Sequence, residues 1–207
     1  MEHIARDPRA DFLAVYNRSI GRNGRAAMMY WLENETDFFT APASSKNHLA
    51  QPGGLAVHSL NAYNRLLEIT ARDVFGGTDG ALLAEEVRET VAILGLLHDV
   101  CKAGVYHQET KRRKNQETGK WEDYLGYTFR DPFPLGHGEK SLFLITRHLA
   151  LTEEEALAIR WHMGAYDDAV KGGSRSMTEA MNLTPWVWRL QEADMCAAWI
   201  DERSAAE

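Results

Sequence analysis

An apolar run in the middle of the chain, Val91 to Leu97, ends abruptly in a histidine and an aspartate, His98 and Asp99. Lys102 follows three residues after the aspartate, so an imidazole, a carboxylate and an amine close a segment with the composition of a protein core. Burying an unpaired charge is costly, and such a pair is normally held by a metal ion or by other charged groups. A helix that simply reaches the surface at His98 is the alternative.

Four more residues that can bind metal ions fall near predicted helix ends or on predicted inward helix faces: His58, His137, His162 and Asp194. None of them is close in sequence to another, so only the fold can bring them together. Helical bundles build dinuclear metal sites in this way, from histidine and carboxylate side chains on facing helices. Mixed imidazole and carboxylate ligands suit Mn, Fe, Ni, Co or Zn better than Ca.

The elements that must position these residues are predicted to be helices. Adjacent helical positions point about 100° apart, so His98 and Asp99 can reach one ion only near the end of a helix. Lys102 is expected on the same face as both. Trp186, Trp188 and Trp199 are predicted to pack in the core, and 167–177 is predicted to be a loop. Helices are predicted at about Pro8 to Ser19, Arg22 to Glu33, Gly54 to Val74, Ala81 to Cys101, His137 to Leu149, Ala156 to His162 and Thr184 to Glu202.

Between Val105 and Phe129 aromatic and polar residues alternate around Gln116 to Gly119, which predicts a two-stranded hairpin. Its tip is expected to carry the basic residues 111–114 and Lys120. One interpretation is a solvated, charged hairpin. The other is an arm that offers cations and aromatic rings to phosphates or bases.

Length and composition favour one well-packed domain over residues 1–207, since the chain has 207 residues of which 44% are hydrophobic. The predicted parts are N-terminal helices at about 8–35, a core at about 38–201 and the hairpin insertion at 105–129. The net charge of -7 argues against a general nucleic-acid coat protein, which needs a broad basic surface.

The compartment is predicted to be the cytoplasm. The N-terminal residues include acids and precede no apolar segment, so a signal peptide is not expected. The apolar run at 91–97 is too short to cross a bilayer, and no membrane association is expected. Only two cysteines are present, Cys101 and Cys196, which indicates a reducing environment.

The order His, His-Asp, His, His, Asp resembles the two-metal subgroup of the HD-domain superfamily of metal-dependent phosphohydrolases. The resemblance covers about 38–201 and suggests small stand-alone bacterial and phage members. The sequence resembles the HD domain of a bacterial 3′→5′ exoribonuclease more loosely. The segments that carry it are Phe39-Thr-Ala-Pro-Ala-Ser, Pro52-Gly-Gly-Leu-Ala-Val-His58-Ser-Leu, Leu96-Leu-His98-Asp99-Val-Cys-Lys102, Pro134-Leu-Gly-His137-Gly-Glu-Lys-Ser and Ile159-Arg-Trp-His162-Met-Gly.

The resemblance implies an all-α HD-domain helical bundle, here with the small β-hairpin inserted, that binds two divalent ions (Mn, Fe, Ni, Co, Zn or Mg). One ion would be held by His58, His98, Asp99 and Asp194. The second would be held by His137 and His162, with Asp99 shared between the two.

Further residues are expected to act on the substrate. Asp99 and Lys102 are expected to be catalytic. Lys46 and His48 match substrate-side positions, and Lys140 is a further candidate for binding the phosphoryl group. Cys101 stands where many members of the family have glycine, a departure that bears on the direction of Lys102.

The implied reaction is hydrolysis of a phosphate ester in a nucleotide or related small molecule, through a hydroxide that bridges the two metals. Three alternatives stay open at this point. The first is a 3′→5′ exonuclease that acts on single-stranded nucleic-acid ends. The second is a di-iron oxygenase with the same ligand pattern, and the third is a non-catalytic nucleotide sensor. The sequence leaves the oligomeric state open.

Overall fold

The first helix begins at a proline, as the sequence predicts. In the computed structural model, which describes residues 7–203, Asp7 accepts a hydrogen bond from the backbone N–H of Arg9 at 3.0 Å, and Pro8 opens helix α1. The bundle consists of α1 (Pro8–Ser19), α2 (Arg25–Asn34), α3 (Gly54–Phe75), α4 (Glu85–Leu97), α5 (His137–Thr146), α6 (Glu153–Trp161), α7 (Asp168–Lys171), α8 (Ser176–Leu183) and α9 (Trp186–Cys196).

Helices α3, α4 and α9 form the centre of the bundle. Helix α3 packs against both α4 and α9, and α1 and α6 also contact α4. Gly95 of α4 lies so close to α3 that an added Cβ would fall 2.4 Å from Cα of Tyr63. Every residue from Val91 to Leu97 is buried, so the apolar run that ends in His98 is the middle of the core.

The predicted hairpin is confirmed. Strands β1 (Tyr106–Lys114) and β2 (Trp121–Phe129) pair antiparallel, with Tyr106 opposite Phe129 and Lys114 opposite Trp121. Because side chains alternate between the faces of a strand, Trp121, Leu125 and Phe129 lie on one face, and all three are exposed. The all-α bundle with a small β-hairpin therefore agrees with the prediction.

Several predicted details are wrong. The helix expected over 81–101 ends at Leu97, and a separate 3₁₀ turn covers Val100–Lys102. Part of the predicted loop 167–177 is helix α7. Helix α9 ends at Cys196 and continues as the π turn Ala197–Asp201.

Two of the three tryptophans predicted to be in the core are exposed. Trp186 is buried, but Trp188 and Trp199 are 59% and 61% exposed. The reason is the helical period, since residues two apart point about 200° apart around the axis. Trp188 therefore cannot share the inward face of Trp186.

Two stretches of the predicted 1–207 domain, residues 1–6 and 204–207, lie outside the described residues. Among the described residues, no helix is both long enough and apolar enough to cross a membrane.

Candidate metal centre

The end of helix α4 places two adjacent side chains in one site. The helix stops at Leu97, and His98 and Asp99 occupy the bend before the 3₁₀ turn, where consecutive side chains are not held to helical directions. Both side chains are buried, with His98 at 0% and Asp99 at 2% exposure. The predicted dependence on a helix end therefore agrees with the geometry.

Four other elements deliver the remaining candidates to the same point. His58 lies in the second turn of α3, His137 is the first residue of α5, and His162 follows the last residue of α6. Asp194 projects from α9, the helix packed beside α3. All six predicted metal ligands thus converge within the described part of the chain.

Asp99 lies between two groups of histidines. Its Oδ1 atom is 2.7 Å from Nε2 of His137 and 3.5 Å from Nε2 of His162. Its Oδ2 atom is 3.2 Å from Nε2 of His58 and 3.6 Å from Nε2 of His98. One carboxylate oxygen therefore faces each half of the predicted ligand set.

Asp194 completes the half that contains His58 and His98. Its Oδ1 atom lies 3.1 Å from Nε2 of His58 and 3.8 Å from Nε2 of His98. Two ligand atoms bound about 2.1 Å from one ion stand about 3 Å apart or slightly more, given the usual bond angles. The separations observed between the ligand atoms have this magnitude.

The histidine rings are turned so that their Nε2 atoms point into the site. Nδ1 of His98 bonds the carbonyl oxygen of Gly95 at 3.1 Å, and Nδ1 of His162 bonds that of Ile159 at 2.7 Å. A carbonyl oxygen only accepts, so both Nδ1 atoms carry a proton, and Nε2 is the ring nitrogen that faces the site.

Three buried ring nitrogens of the predicted ligands make no hydrogen bond within residues 7–203: the Nε2 atoms of His58, His98 and His162. Buried polar atoms without partners are rare in proteins and call for an explanation. Three imidazole nitrogens beside two carboxylates are the donor set that a divalent transition metal takes. The residues present therefore fit a divalent metal ion.

The charges of the site are strongly coupled. Burial would raise the pKa of Asp99, but Lys102 and the neighbouring histidines hold that pKa well below its ordinary value. Burial likewise would raise the pKa of Asp194, and His58 and His98 lower it well below the ordinary value. Both carboxylates are thus anionic and attract cations.

A family model described as HD domain matches residues 55–199 of this sequence. The chain belongs to the HD-domain superfamily of metal-dependent phosphohydrolases. No curated protein and no solved structure matched the chain. The looser similarity of this HD domain to an exoribonuclease stays a prediction.

The predicted catalytic lysine of the HD domain lies next to Asp99. Nζ of Lys102 is 2.5 Å from Oδ2 of Asp99. Burial would lower the pKa of this lysine, but the carboxylates of Asp99 and Asp194 raise it above its ordinary value. Lys102 is therefore a permanent cation at the edge of the site.

The predicted substrate residues are divided between two cavities. Lys102 and His137 line a cavity of about 380 Å³, and Lys140 lines it too, but Nζ of Lys140 lies 2.6 Å from Oδ1 of Asp131. The charge of Lys140 is therefore already paired. Lys46 and His48 line a second cavity of about 350 Å³ beside Trp199.

His48 borders the metal centre from this second cavity. The centroid of its ring lies 5.2 Å from that of His58. Burial lowers the pKa of His48, and the nearby His58 and Lys102 lower it further. The next residue, Leu49, has a φ of 47°, a left-handed conformation that is rare outside glycine.

Sequence reasoning missed Glu202 and Cys101 as neighbours of the site. Glu202 contacts His58, and Sγ of Cys101 belongs with Asp99 and His137 to a set of possible ligand atoms within 4.8 Å of one another. Burial raises the pKa of Cys101 to about 12, so its sulfur is a thiol rather than the thiolate that binds metals. The adjacency of Cys101 to the His-Asp pair was visible in the sequence, whereas nothing in the pattern near Glu202 indicates a link to His58.

Proposed function

We propose that this HD domain hydrolyses a phosphate ester of a nucleotide with the help of two divalent metal ions. The observation that carries the proposal is the convergence of three buried Nε2 atoms without hydrogen bonds on Asp99 and Asp194. Such a buried cluster is costly unless cations neutralise its carboxylates.

The ligand sets follow the two oxygens of Asp99. His58, His98 and Asp194 would hold one ion on the Oδ2 side, and His137 and His162 would hold the other on the Oδ1 side. When bound, the ions lower the pKa of a coordinated water and neutralise phosphate oxygens. This division is the one that the family resemblance implies.

Lys102 would bind the remaining negative charge of the phosphoryl group. Its ammonium group faces both Asp99 and the 380 Å³ cavity. A preorganised cation in a partly buried site stabilises charge that develops in a transition state much more than the same cation does in water. Cys101 does not turn the lysine away from the site, since Nζ reaches Asp99.

The cavity itself supports a nucleotide as the substrate. Tyr106 and Phe129 stand on its wall, and their ring centroids are 5.7 Å apart. Aromatic rings beside a phosphate site suit a nucleobase, because every base has a face that can stack. Asp168 also lines this cavity and supplies acceptors for sugar or base hydrogens.

The test is phosphate release from a panel of nucleotides by the unmodified protein, H98A and D99A. Both variants should fold and should lose turnover. H107A is the matched control, since His107 is exposed on the hairpin and does not belong to the predicted ligand set. Retention of full activity by H98A or D99A would contradict the proposal.

A second candidate function is cleavage of single-stranded nucleic-acid ends. The hairpin favours it, because Phe129 of the cavity shares a strand face with the exposed Leu125 and Trp121. The guanidinium of Arg112 also lies over the ring of Trp121, 5.8 Å from its centroid. This face could therefore guide a strand toward the site.

The basic residues 111–114 lie in strand β1 and not at the tip of the hairpin, where the sequence predicted them. Lys111 turns back and donates to the carbonyl oxygen of Tyr127 at 2.5 Å, so Arg112 and Lys114 are the better test residues. An R112A/K114A/W121A variant should lower oligonucleotide cleavage far more than mononucleotide cleavage. Equal effects on both substrates would remove this second candidate.

The oxygenase and sensor alternatives use the same ligands. Lys102 beside Asp99 favours hydrolysis, because a fixed ammonium group suits a phosphoryl anion. Strict dependence of turnover on iron and oxygen would replace the hydrolase proposal with the oxygenase. Nucleotide binding without turnover would replace it with the sensor.

A further inference from the structure

A buried carboxylate outside the predicted ligand set contacts the ligand His58. Glu202 is 6% exposed, and its Oε1 and Oε2 atoms lie 3.0 Å and 3.1 Å from Nδ1 of His58. Nδ2 of Asn61, one turn later on α3, donates to Oε1 at 3.0 Å. Glu202 lies outside residues 55–199, the part of the chain that the HD-domain family model matches.

The π turn at the end of α9 brings Glu202 to this place. The backbone N–H of Glu202 donates to the carbonyl oxygen of Ala197 at 3.0 Å, five residues back, which makes the turn wider than an α-helical one. Such wide turns occur frequently at functional sites. Asp201, on the same turn, pairs with Arg65 of α3 and ties the turn to that helix.

One stretch of chain therefore holds both nitrogens of the same ring. Asp194 of α9 lies 3.1 Å from Nε2 of His58, and Glu202, eight residues later, accepts from Nδ1. The other two buried histidines bond backbone carbonyls through Nδ1 instead. His58 is thus the buried ligand whose Nδ1 partner, among the described residues, is a charged side chain.

The physical consequence concerns the Nε2 lone pair. An Nδ1–H held by a carboxylate fixes the orientation and the tautomer of the ring, and it makes Nε2 a stronger donor to a metal. A charged acceptor also makes a stronger hydrogen bond than a carbonyl does. Removal of such an outer partner typically weakens metal binding by about 10–100-fold.

We propose that Glu202 is a positioning residue that fixes His58 for metal binding. The inference rests on the proposed metal centre, but it concerns a residue that neither the family match nor the predicted ligand set includes. Glu202 acts through His58 and is not itself expected to touch the substrate.

The experiment is calorimetric titration of the metal-free 207-residue chain with Zn²⁺ or Co²⁺, accompanied by the absorption spectrum of the Co²⁺ form. E202A should bind the ion held by His58 about 10–100-fold more weakly than the unmodified chain. E202Q should recover part of the affinity, because an amide oxygen at the Oε1 position still accepts from Nδ1 but carries no charge. E68A is the matched control, since it removes an exposed carboxylate from helix α3, which carries His58, without touching the imidazole ring or Glu202.

Three results would overturn the inference. Unchanged affinity in E202A would show that Nδ1 needs no carboxylate. Equal losses in E202A and E68A would show that the loss of a negative charge, rather than of the bond to Nδ1, weakens binding. Absence of metal binding by the unmodified chain would contradict the proposed metal centre itself, which distinguishes that failure from the other two.

Discussion

The Oδ1 atom of Asp99 lies 2.7 Å from Nε2 of His137, although the two residues belong to different elements of the bundle. The other carboxylate oxygen faces His58 at 3.2 Å. A single side chain thus joins the two halves of the candidate centre. Mutations on either half should therefore have separable effects, and a mutation of Asp99 should affect both.

Replacement of His137 should abolish binding of the ion on the Oδ1 side of Asp99 and leave the other ion bound. H137A deletes a ligand on the Oδ1 side, whereas the His58, His98 and Asp194 side chains remain in place on the other side. Elemental analysis of dialysed protein should give about one metal per chain for H137A, about two for the unmodified protein and fewer than one for D99A. Two metals retained by H137A would contradict the division of ligands.

Replacement of Lys102 distinguishes its observed contact with Asp99 from its proposed contact with the phosphoryl group. K102M should lower kcat for phosphate release by about 10²–10³-fold, the loss typical for one preorganised group that stabilises transition-state charge. Metal content should stay near two per chain, because Lys102 is a cation and not a ligand. A K102M protein that loses its metals together with its activity would show that the lysine acts on Asp99 instead.

Gly95 sets the distance between α3, which carries His58, and α4, which ends just before His98. Its missing Cβ would lie 2.4 Å from Cα of Tyr63, so G95A must push α3 and α4 apart. We expect a loss of about 1–3 kcal/mol in the free energy of unfolding, measured in urea, and weaker metal binding. G77A is the control, since a Cβ at Gly77 meets nothing within 4 Å. Unchanged unfolding and metal binding in G95A would show that the helices accommodate the methyl group.

The guanidinium of Arg22 neutralises the carboxylate of Glu155 in the first turn of α6. Its Nη1 lies 2.6 Å from Oε2 of Glu155, which is 0% exposed and also closes the capping box of that helix. R22M leaves this charge buried without its cation and should lower the free energy of unfolding by about 3–5 kcal/mol.

The matched comparison for R22M is R9M. The Arg9 side chain of the surface pair Arg9–Glu33 is 55% exposed, and such a pair contributes under about 1 kcal/mol. Equal losses in the two variants would contradict the role assigned to burial of Glu155.

The sequence predicts the ligand histidines because their chemistry conflicts with their surroundings. His98 and Asp99 follow seven apolar residues, and such a conflict is visible without a structure. His58 and His162 lack this local signal. Their predicted places near helix ends or on inward helix faces made them candidates, and the resemblance to the HD family implied that they are ligands.

Other features of the site depend on three-dimensional geometry that no local sequence pattern indicates. The π turn that delivers Glu202 breaks the helical period, so extending α9 as a regular helix to 202 misplaces both Trp199 and Glu202. The pairing of Lys140 with Asp131 likewise depends on the path of the loop before α5. The division of substrate candidates between two cavities is a property of the bundle as a whole.

The central claim is that this site is a dinuclear phosphohydrolase centre. Metal content by elemental analysis, with phosphate release from nucleotides and short oligonucleotides under Mn, Mg, Fe and Zn, tests it most directly. The account predicts about two metals per chain and release from one substrate class, both lost in D99A. One metal or none, with no phosphate released from any substrate, would contradict it.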